Sequence, residues 1–332
     1  MKDSNGVKKE TREISKHIPV LMEEVLHGLN LDQGKSVVDA TLGGGGHTRA
    51  IWKQIAPTGK LLSLDQDSEA IGHFISEVQE DKELQEAYNE GHLVVVHANF
   101  SDLYEVIEEN QQGSVDAIMA DLGYSSDQIE SNERGLSFMQ GGPLDMRLDQ
   151  SQGVPVSEML HAASIDELTK ILRGYGEVDY AEQIAEAILK QDKKESIETA
   201  EMLAKVVVEA TPSWVQAKQK IHPATQVFQA LRIWVNDEYR SLERFLEASE
   251  KVLKSGGRIA IISFHSGEDR IVKEFFKTKI KGCVCPKEFP ICICGMKSSF
   301  KAITKKVIIA SDEELEVNPR SRSAKLRVYQ KL

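Results

Sequence analysis

With 332 residues, 41% of them hydrophobic, the chain holds enough apolar material for a sizeable buried core, and its length favours two domains or one domain with a large insertion. A formal net charge of -11 excludes nucleic-acid binding by general surface attraction, so any such partner must be held by a local basic patch. No run of about 18 apolar residues occurs, and the polar opening "MKDSNGVKKETREISKHIPV" lacks the apolar stretch of a secretory signal. The expectation is a cytoplasmic protein with no membrane partner and a disordered tail over residues 1–16.

In chain order, four continuous apolar runs read as strands buried on both faces of a parallel sheet: 35–40 "KSVVDA", 59–65 "GKLLSLD", 92–99 "HLVVVHAN" and 115–121 "VDAIMAD". Helical pattern lies between them, as over Ser68–Tyr88, and the alternation predicts an α/β doubly wound sheet. From about Asp127 to Ile221 the pattern is mostly helical, and no strand returns until "GGRIAIISF" at 256–264. The simplest organisation is a sheet domain over 17–126 and 222–332, with a helical domain inserted over 127–221. "KAITKKVIIA" and "SAKLRVYQ" then supply a closing strand pair.

Between the first strand and the next helix stands "DATLGGGGHTRAIW" (39–52). A strand, a glycine-rich turn and a helix start aim backbone N–H groups at a ligand, and Asp65 ends the next strand about 20 residues on, where an acid grips a ribose diol. A plain tight turn is the competing reading. The Gly-x-Gly-x-x-Gly spacing of a pyrophosphate site is missing, which disfavours a nicotinamide oxidoreductase and points to a nucleoside without phosphates. S-adenosylmethionine is the commonest such cofactor, and the glycines would admit its methionine moiety.

The fourth strand delivers Asp121-Leu122-Gly123-Tyr124 to the carboxyl edge of the sheet, with the outline of the motif in amino-methyltransferases of DNA. An exocyclic base amine is a poor nucleophile, so Asp121 is a candidate acceptor for its N–H groups and Tyr124 a candidate platform for a turned-out base. A turn acid and a core tyrosine are the alternatives. Asp145 and Arg147 in "PLDMR" are either an RNA contact or an ion pair fixing a loop. In "HPATQVFQALRIWVN", Phe228, Leu231 and Val235 share a face expected to pack back on the sheet, while Arg232 and Asn236 share one that either looks into the cleft or is solvated. His265 in "SFHSGEDR" is a cleft candidate or a structural hydrogen-bonder. Cys283, Cys285, Cys292 and Cys294 lie in an insertion over 281–296; they are either reduced thiols, with no metal, or a zinc site of unusually tight spacing. In the tail, Arg320, Arg322, Lys325 and Arg327 form either a phosphate-contacting patch or a solvated strand end.

The blocks "HIPVLMEEVLHGLN", "DATLGGGGHTRAI", "DLGYSSDQI", "RGLSFMQGGPLDMRLD", "HPATQVFQALRIWVN", "GGRIAIISFHSGEDRIVK" and "NPRSRSAKLR" run in order from His17 to Arg327. Together they resemble the small-subunit ribosomal RNA methyltransferase H (MraW) family over nearly the whole chain. The resemblance implies a Rossmann-like class I methyltransferase sheet with an inserted helical substrate-binding domain. It also implies methyl transfer from S-adenosylmethionine to N4 of a cytidine in the decoding region of 16S ribosomal RNA, in the cytoplasm. Cofactor contacts implied by it are Gly45, Gly46, His47, Asp65, Phe100, Asp121 and Gln128. Substrate state (naked RNA or assembled small subunit) and homodimer formation stay open. Against the family's pattern, Gly267 stands where leucine is usual and is expected to loosen a loop; Gln226 replaces a common arginine near the expected RNA surface, and Tyr124 a frequent valine. Rival readings are an amino-methyltransferase of DNA and an RNA-binding assembly factor that has lost catalysis.

Overall fold

The computed structural model describes residues 19–124, 128, 134–139, 141–217, 221–283, 285, 289, 291 and 293–332; the tail expected at 1–16 lies outside them. Strands form where the apolar runs predict them: β1 (Ser36–Asp39), β2 (Lys60–Asp65), β3 (Leu93–His97) and β4 (Val115–Asp121). The later strands are β5 (Leu253–Ser263), β6 (Phe300–Ala302) and β7 (Lys325–Lys331). They build one seven-stranded sheet in the order β3-β2-β1-β4-β5-β7-β6. β1 to β5 run parallel and β7 is antiparallel to both its neighbours, which is the Rossmann-like class I arrangement.

Both faces of the sheet are covered, and the strands show it residue by residue. Val37, Leu61, Ala117 and Met119 belong to one apolar cluster, whereas their neighbours Val38, Leu62, Ile118 and Ala120 belong to the other. This alternation is the period-two geometry of a strand buried on both sides. Ile51, Trp52 and Phe74 cover the first face; Leu103, Phe245 and Phe276 cover the second. Because β1 pairs with β2 on one side and β4 on the other, the winding reverses there, and the carboxyl ends of these strands flank a crevice.

A third apolar cluster is helical, built from Val156–Ala162, Ile165–Gly176, Ala181–Lys194, Ala200–Ala210 and Ala224–Val235. The last of these was expected to pack on the sheet. Phe228 and Leu231 are instead buried within the helical cluster, with Val235 packed against it. Ala224, Val227, Ala230 and Ile233 are buried as well, so the helix is enclosed on most sides rather than amphipathic.

Three local departures have plain causes. The stretch Ser68–Tyr88 is two helices, Ser68–Val78 and Lys82–Asn89, because the Asp81 carboxylate accepts from the N–H groups of Glu83 and Leu84 and starts a new helix. Of "KAITKKVIIA" only its first two residues join the ladder of β6, and a single bridge ties Ile308 to Leu326. Gly267 lies in no loop: it is buried in the first turn of the helix Ser266–Lys281, where an added Cβ would stand 1.8 Å from Tyr239 Oη. The tyrosine ring fills the space a larger side chain would take. Gly267→Ala is therefore expected to cost about 1–3 kcal/mol by overpacking, and most of that loss should vanish in a Tyr239→Ala background, as read by a denaturation double-mutant cycle.

Candidate active site

At the end of β1 the carboxyl group of Asp39 is wholly buried. Its Oδ1 accepts from the Thr41 N–H at 3.2 Å and its Oδ2 from the Thr48 hydroxyl at 2.6 Å. Thr41 Oγ1 in turn accepts from the Asp121 N–H at 2.7 Å. These bonds fasten the glycine loop to its following helix, Gly46–Ile55, and to the end of β4. Inside the loop, Gly43 donates its N–H to Asp65 Oδ2 at 2.8 Å. A Cβ on Gly45 would lie 2.2 Å from Phe74, and one on Gly46 would lie 2.1 Å from Pro19. Two of the four glycines are thus demanded by packing against the protein itself, which corrects the expectation that the whole run is reserved for a ligand. Gly43, Gly44 and Gly46 line the crevice; Gly45 does not.

The crevice is a cleft of about 390 Å³, within the ~300–1,000 Å³ range of small-molecule sites. It brings together His47, Asp65, Phe100, Asp121, Tyr124 and Gln128 from the expected set. Phe100 is held edge-on against Phe245, ring centroids 5.4 Å apart. Below Asp65, the buried Asp67 receives both terminal nitrogens of Arg134 (2.7 and 2.8 Å) and Nε2 of Gln128 (2.9 Å) while capping Ser68–Val78. Burial pushes the Asp67 carboxyl up, but these hydrogen bonds prevail and hold it below the ordinary carboxylate range.

Three other acids behave oppositely. Burial, opposed only partly by Thr48 and Thr41, pushes Asp39 up to about 7. Burial pushes Asp65 up to about 6 against the Gly43 and Asp67 N–H groups, and Asp121 up to about 7 against the Gly123 N–H. Asp121 Oδ2 stands 3.8 Å from His47 Nε2. Carboxyl groups gathered without a matching cation disfavour one another's ionisation, and a positively charged ligand relieves that cost.

Tyr124 is tied down. Its hydroxyl donates to Glu238 Oε1 at 2.6 Å, and the Arg232 guanidinium sits 4.1 Å from its ring centroid. Arg232 also grips both oxygens of Glu238, at 2.8 and 3.0 Å. One face of the tyrosine is therefore taken by an arginine, and burial holds its phenol protonated far above the usual range. Arg232 and Asn236 face inward as a pair, Asn236 bonding Leu148 N–H and the Met146 carbonyl and lining the cleft.

Other sequence candidates resolve as structure. His265 caps Ser266–Lys281 in a box with Glu268 and does not line the cleft. Asp145 and Arg147 form a two-point ion pair at 2.7 and 2.8 Å, and the guanidinium also holds the carbonyls of Gln150, Gln152 and Gly153. Arg327 is spent on Asp269, at 2.7 and 3.1 Å, so the basic tail is not one phosphate patch. Arg320 lines the cleft and Arg322 is exposed. Gln226 donates to the Glu177 carbonyl at 3.3 Å. Sequence reasoning missed Thr41, Glu238 and Glu268, and Asp39 as a site residue. Asp39 carried a usable signal, an acid ending an apolar strand before the glycines; Glu238 carried none.

Residues 14–332 match the family described as the MraW methylase family. The chain is 44% identical over 316 residues to Ribosomal RNA small subunit methyltransferase H of Citrifermentans bemidjiense, covering 95% of this chain and 98% of that one. It is 44% identical over 322 residues to the protein of that name from Syntrophotalea carbinolica, covering 97% and 100%. The same name belongs to a Clostridioides difficile protein 41% identical over 319 residues, with 95% and 99% coverage.

The raised acids fix a pH dependence. A carboxyl whose folded pKa lies above its unfolded value lends stability that is full below the unfolded pKa and lost as pH rises through the folded one. Asp39, Asp65 and Asp121 should therefore make the ligand-free protein less stable at pH 8 than at pH 5.5, as the last part of a loss that begins near the unfolded carboxylate pKa of 3.8 and levels off above the folded values of about 6 to about 7. Chemical denaturation across this window checks it. Asp39→Asn should flatten the slope by roughly a third, since one of three groups is removed.

Proposed function

The chain belongs to the MraW methylase family, and on that premise we propose that it uses S-adenosylmethionine to methylate the N4 amine of a cytidine in the decoding region of 16S ribosomal RNA. The observation that carries this reading is the cleft at the β1/β4 switch, lined by Asp65 and Asp121 with their pKa values raised, and fastened from behind by the buried Asp39. Such a site suits a small organic cation.

When bound, S-adenosylmethionine supplies an electrophilic methyl group on a positively charged sulfur. Gly43, Gly44, Gly46 and His47 would hold it along the glycine loop, with Asp65 at a ribose and Phe100 against an apolar ring. Asp121 stands at the strand edge, between the loop and Tyr124. As the cytidine nitrogen gains its methyl group it must lose a proton, and Asp121 Oδ2 is the acceptor. Burial pushes its carboxyl up to about 7 in the ligand-free cleft, and a bound cation would lower it again, leaving a carboxylate able to take the proton. Tyr124, fixed by Glu238 and Arg232, would form the wall against which the base is set. No cysteine nucleophile is needed for transfer to an amine. The helical unit between β4 and β5 would present the RNA, with Arg320 and Arg322 as phosphate contacts.

Substrate in this reading is the assembled small subunit, and the site of action the cytoplasm; among the described residues no helix is long and apolar enough to cross a membrane. The test is transfer of labelled methyl from S-adenosylmethionine to small subunits lacking the modification, followed by nucleoside analysis. N4-methylated cytidine is expected. Asp121→Asn should lower kcat by about 10²–10⁴, and Asp65→Ala should raise the KM for cofactor about tenfold, roughly one lost hydrogen bond to a charged group. Label appearing only in DNA, or in no nucleic acid although cofactor binds, overturns the proposal.

A further inference from the structure

Away from the cleft, the chain leaves the helix Ser266–Lys281 and returns to β6 through the loop 283–297. Its two ends are pinched together. A Cβ on Gly282, whose φ is +67°, would lie 2.4 Å from Ser298 N, and the Ser299 N–H donates to the Lys279 carbonyl at 3.0 Å. Beyond this base the large apolar side chains among the described residues of the loop face outward: Ile291 and Ile293 are 74% and 75% exposed, and Phe289 and Met296 are exposed too. Burial therefore does not order it, and a short segment without a core needs a cross-link.

The thiols supply one. Sγ atoms of Cys283, Cys285 and Cys294 all lie within 4.8 Å of one another. Those of Cys283 and Cys294 are 3.8 Å apart, too far for a disulfide, which needs about 2.05 Å. The separation suits a shared metal, because a tetrahedron with zinc–sulfur arms of about 2.3 Å has edges of about 3.8 Å. The Ile293 N–H donates to Cys285 Sγ at 3.4 Å, the kind of backbone bond that orients a ligating thiolate. One other cluster of potential ligands occurs among the described residues, Glu238, His265 and Glu268. It is already compensated, Glu238 by the two-point contact with Arg232 and His265 by its capping bonds.

We propose that Cys283, Cys285 and Cys294 bind one zinc ion as thiolates, shedding their protons, and that this ion staples the loop 283–297. The role is structural, since the cluster takes no part in the cleft.

The test uses the full chain, purified without a polyhistidine tag or chelator after growth in zinc-supplemented medium. Elemental analysis should find about one zinc per chain, released when an organomercurial blocks the thiols and detected with a metallochromic dye. Cys283→Ser and Cys294→Ser should each lose the zinc yet still bind S-adenosylmethionine. Cobalt(II) added to the wild-type apo protein should give sulfur-to-metal charge-transfer absorption with the visible bands of a tetrahedral site, a readout independent of how the variants fold. Absence of zinc together with no such cobalt spectrum overturns the proposal, as does zinc retained undiminished in both serine variants.

Discussion

The wholly buried carboxyl of Asp39 is the constraint on which the site rests. Through Thr48 it fixes the helix that follows the glycine loop, and through Thr41 it fixes the backbone of Asp121 on the neighbouring strand. Register does the remainder: Asp39 pairs with Ser63 of β2 and Met119 of β4, so Asp65 and Asp121 each follow two residues later at the same edge. A parallel sheet with a winding reversal at β1 places its strand ends in a row, and here an acid occupies three adjacent places. An unpaired buried carboxylate is costly. Burial pushes all three toward the neutral form; Asp65 and Asp121 line the cleft, where a bound cation would favour their ionised forms.

The second tie runs from the helical unit to the cleft. Ala224–Val235 carries its apolar residues into the helical cluster, yet Arg232 near its end reaches Glu238 and covers Tyr124, while Asn236 holds the backbone of Met146 and Leu148. A single helix thus belongs to the inserted unit by its packing and to the site by its polar end. Removing either partner of the Arg232–Glu238 pair would strand a charge in a poorly hydrated place and free the Tyr124 ring. Gly267 belongs with this region as well: its missing side chain makes room for Tyr239, the residue after Glu238.

Much of this was legible in the chain itself. The four apolar runs, the glycine loop, Asp65 and Asp121 are encoded locally, by strand burial and by the turn that precedes a helix, and their positions followed from them. What escaped were pairings between distant positions. Nothing near Glu238 announces that it meets Tyr124, 114 residues away, and nothing near Arg134 announces Asp67, 67 residues away. The same limit explains the wrong partner assigned to the Phe228, Leu231 and Val235 face of Ala224–Val235, since periodicity says that a face is buried but not against what. The glycine run misled for a related reason: Phe74 and Pro19, which forbid side chains at Gly45 and Gly46, come from other parts of the chain.

Charge sets a final constraint on the proposed reaction. The chain is acidic, at -11, and much of its basic equipment near the cleft is internally spent, Arg134 on Asp67, Arg147 on Asp145, Arg232 on Glu238 and Arg327 on Asp269. A polyanion approaching an empty cleft at pH above 7 would face the ionising carboxylates of Asp65 and Asp121 backed by that surplus. Once a cation occupies the cleft, the repulsion is offset at the place where a base must enter. Electrostatics therefore favours an order in which the cofactor binds before the RNA. Methyl transfer would remove the positive charge from sulfur while Asp121 takes up the proton, so the net charge of the cleft is unchanged by the chemical step; the repulsion would return only as that proton leaves, which loosens the hold on spent cofactor and RNA after the reaction rather than before it.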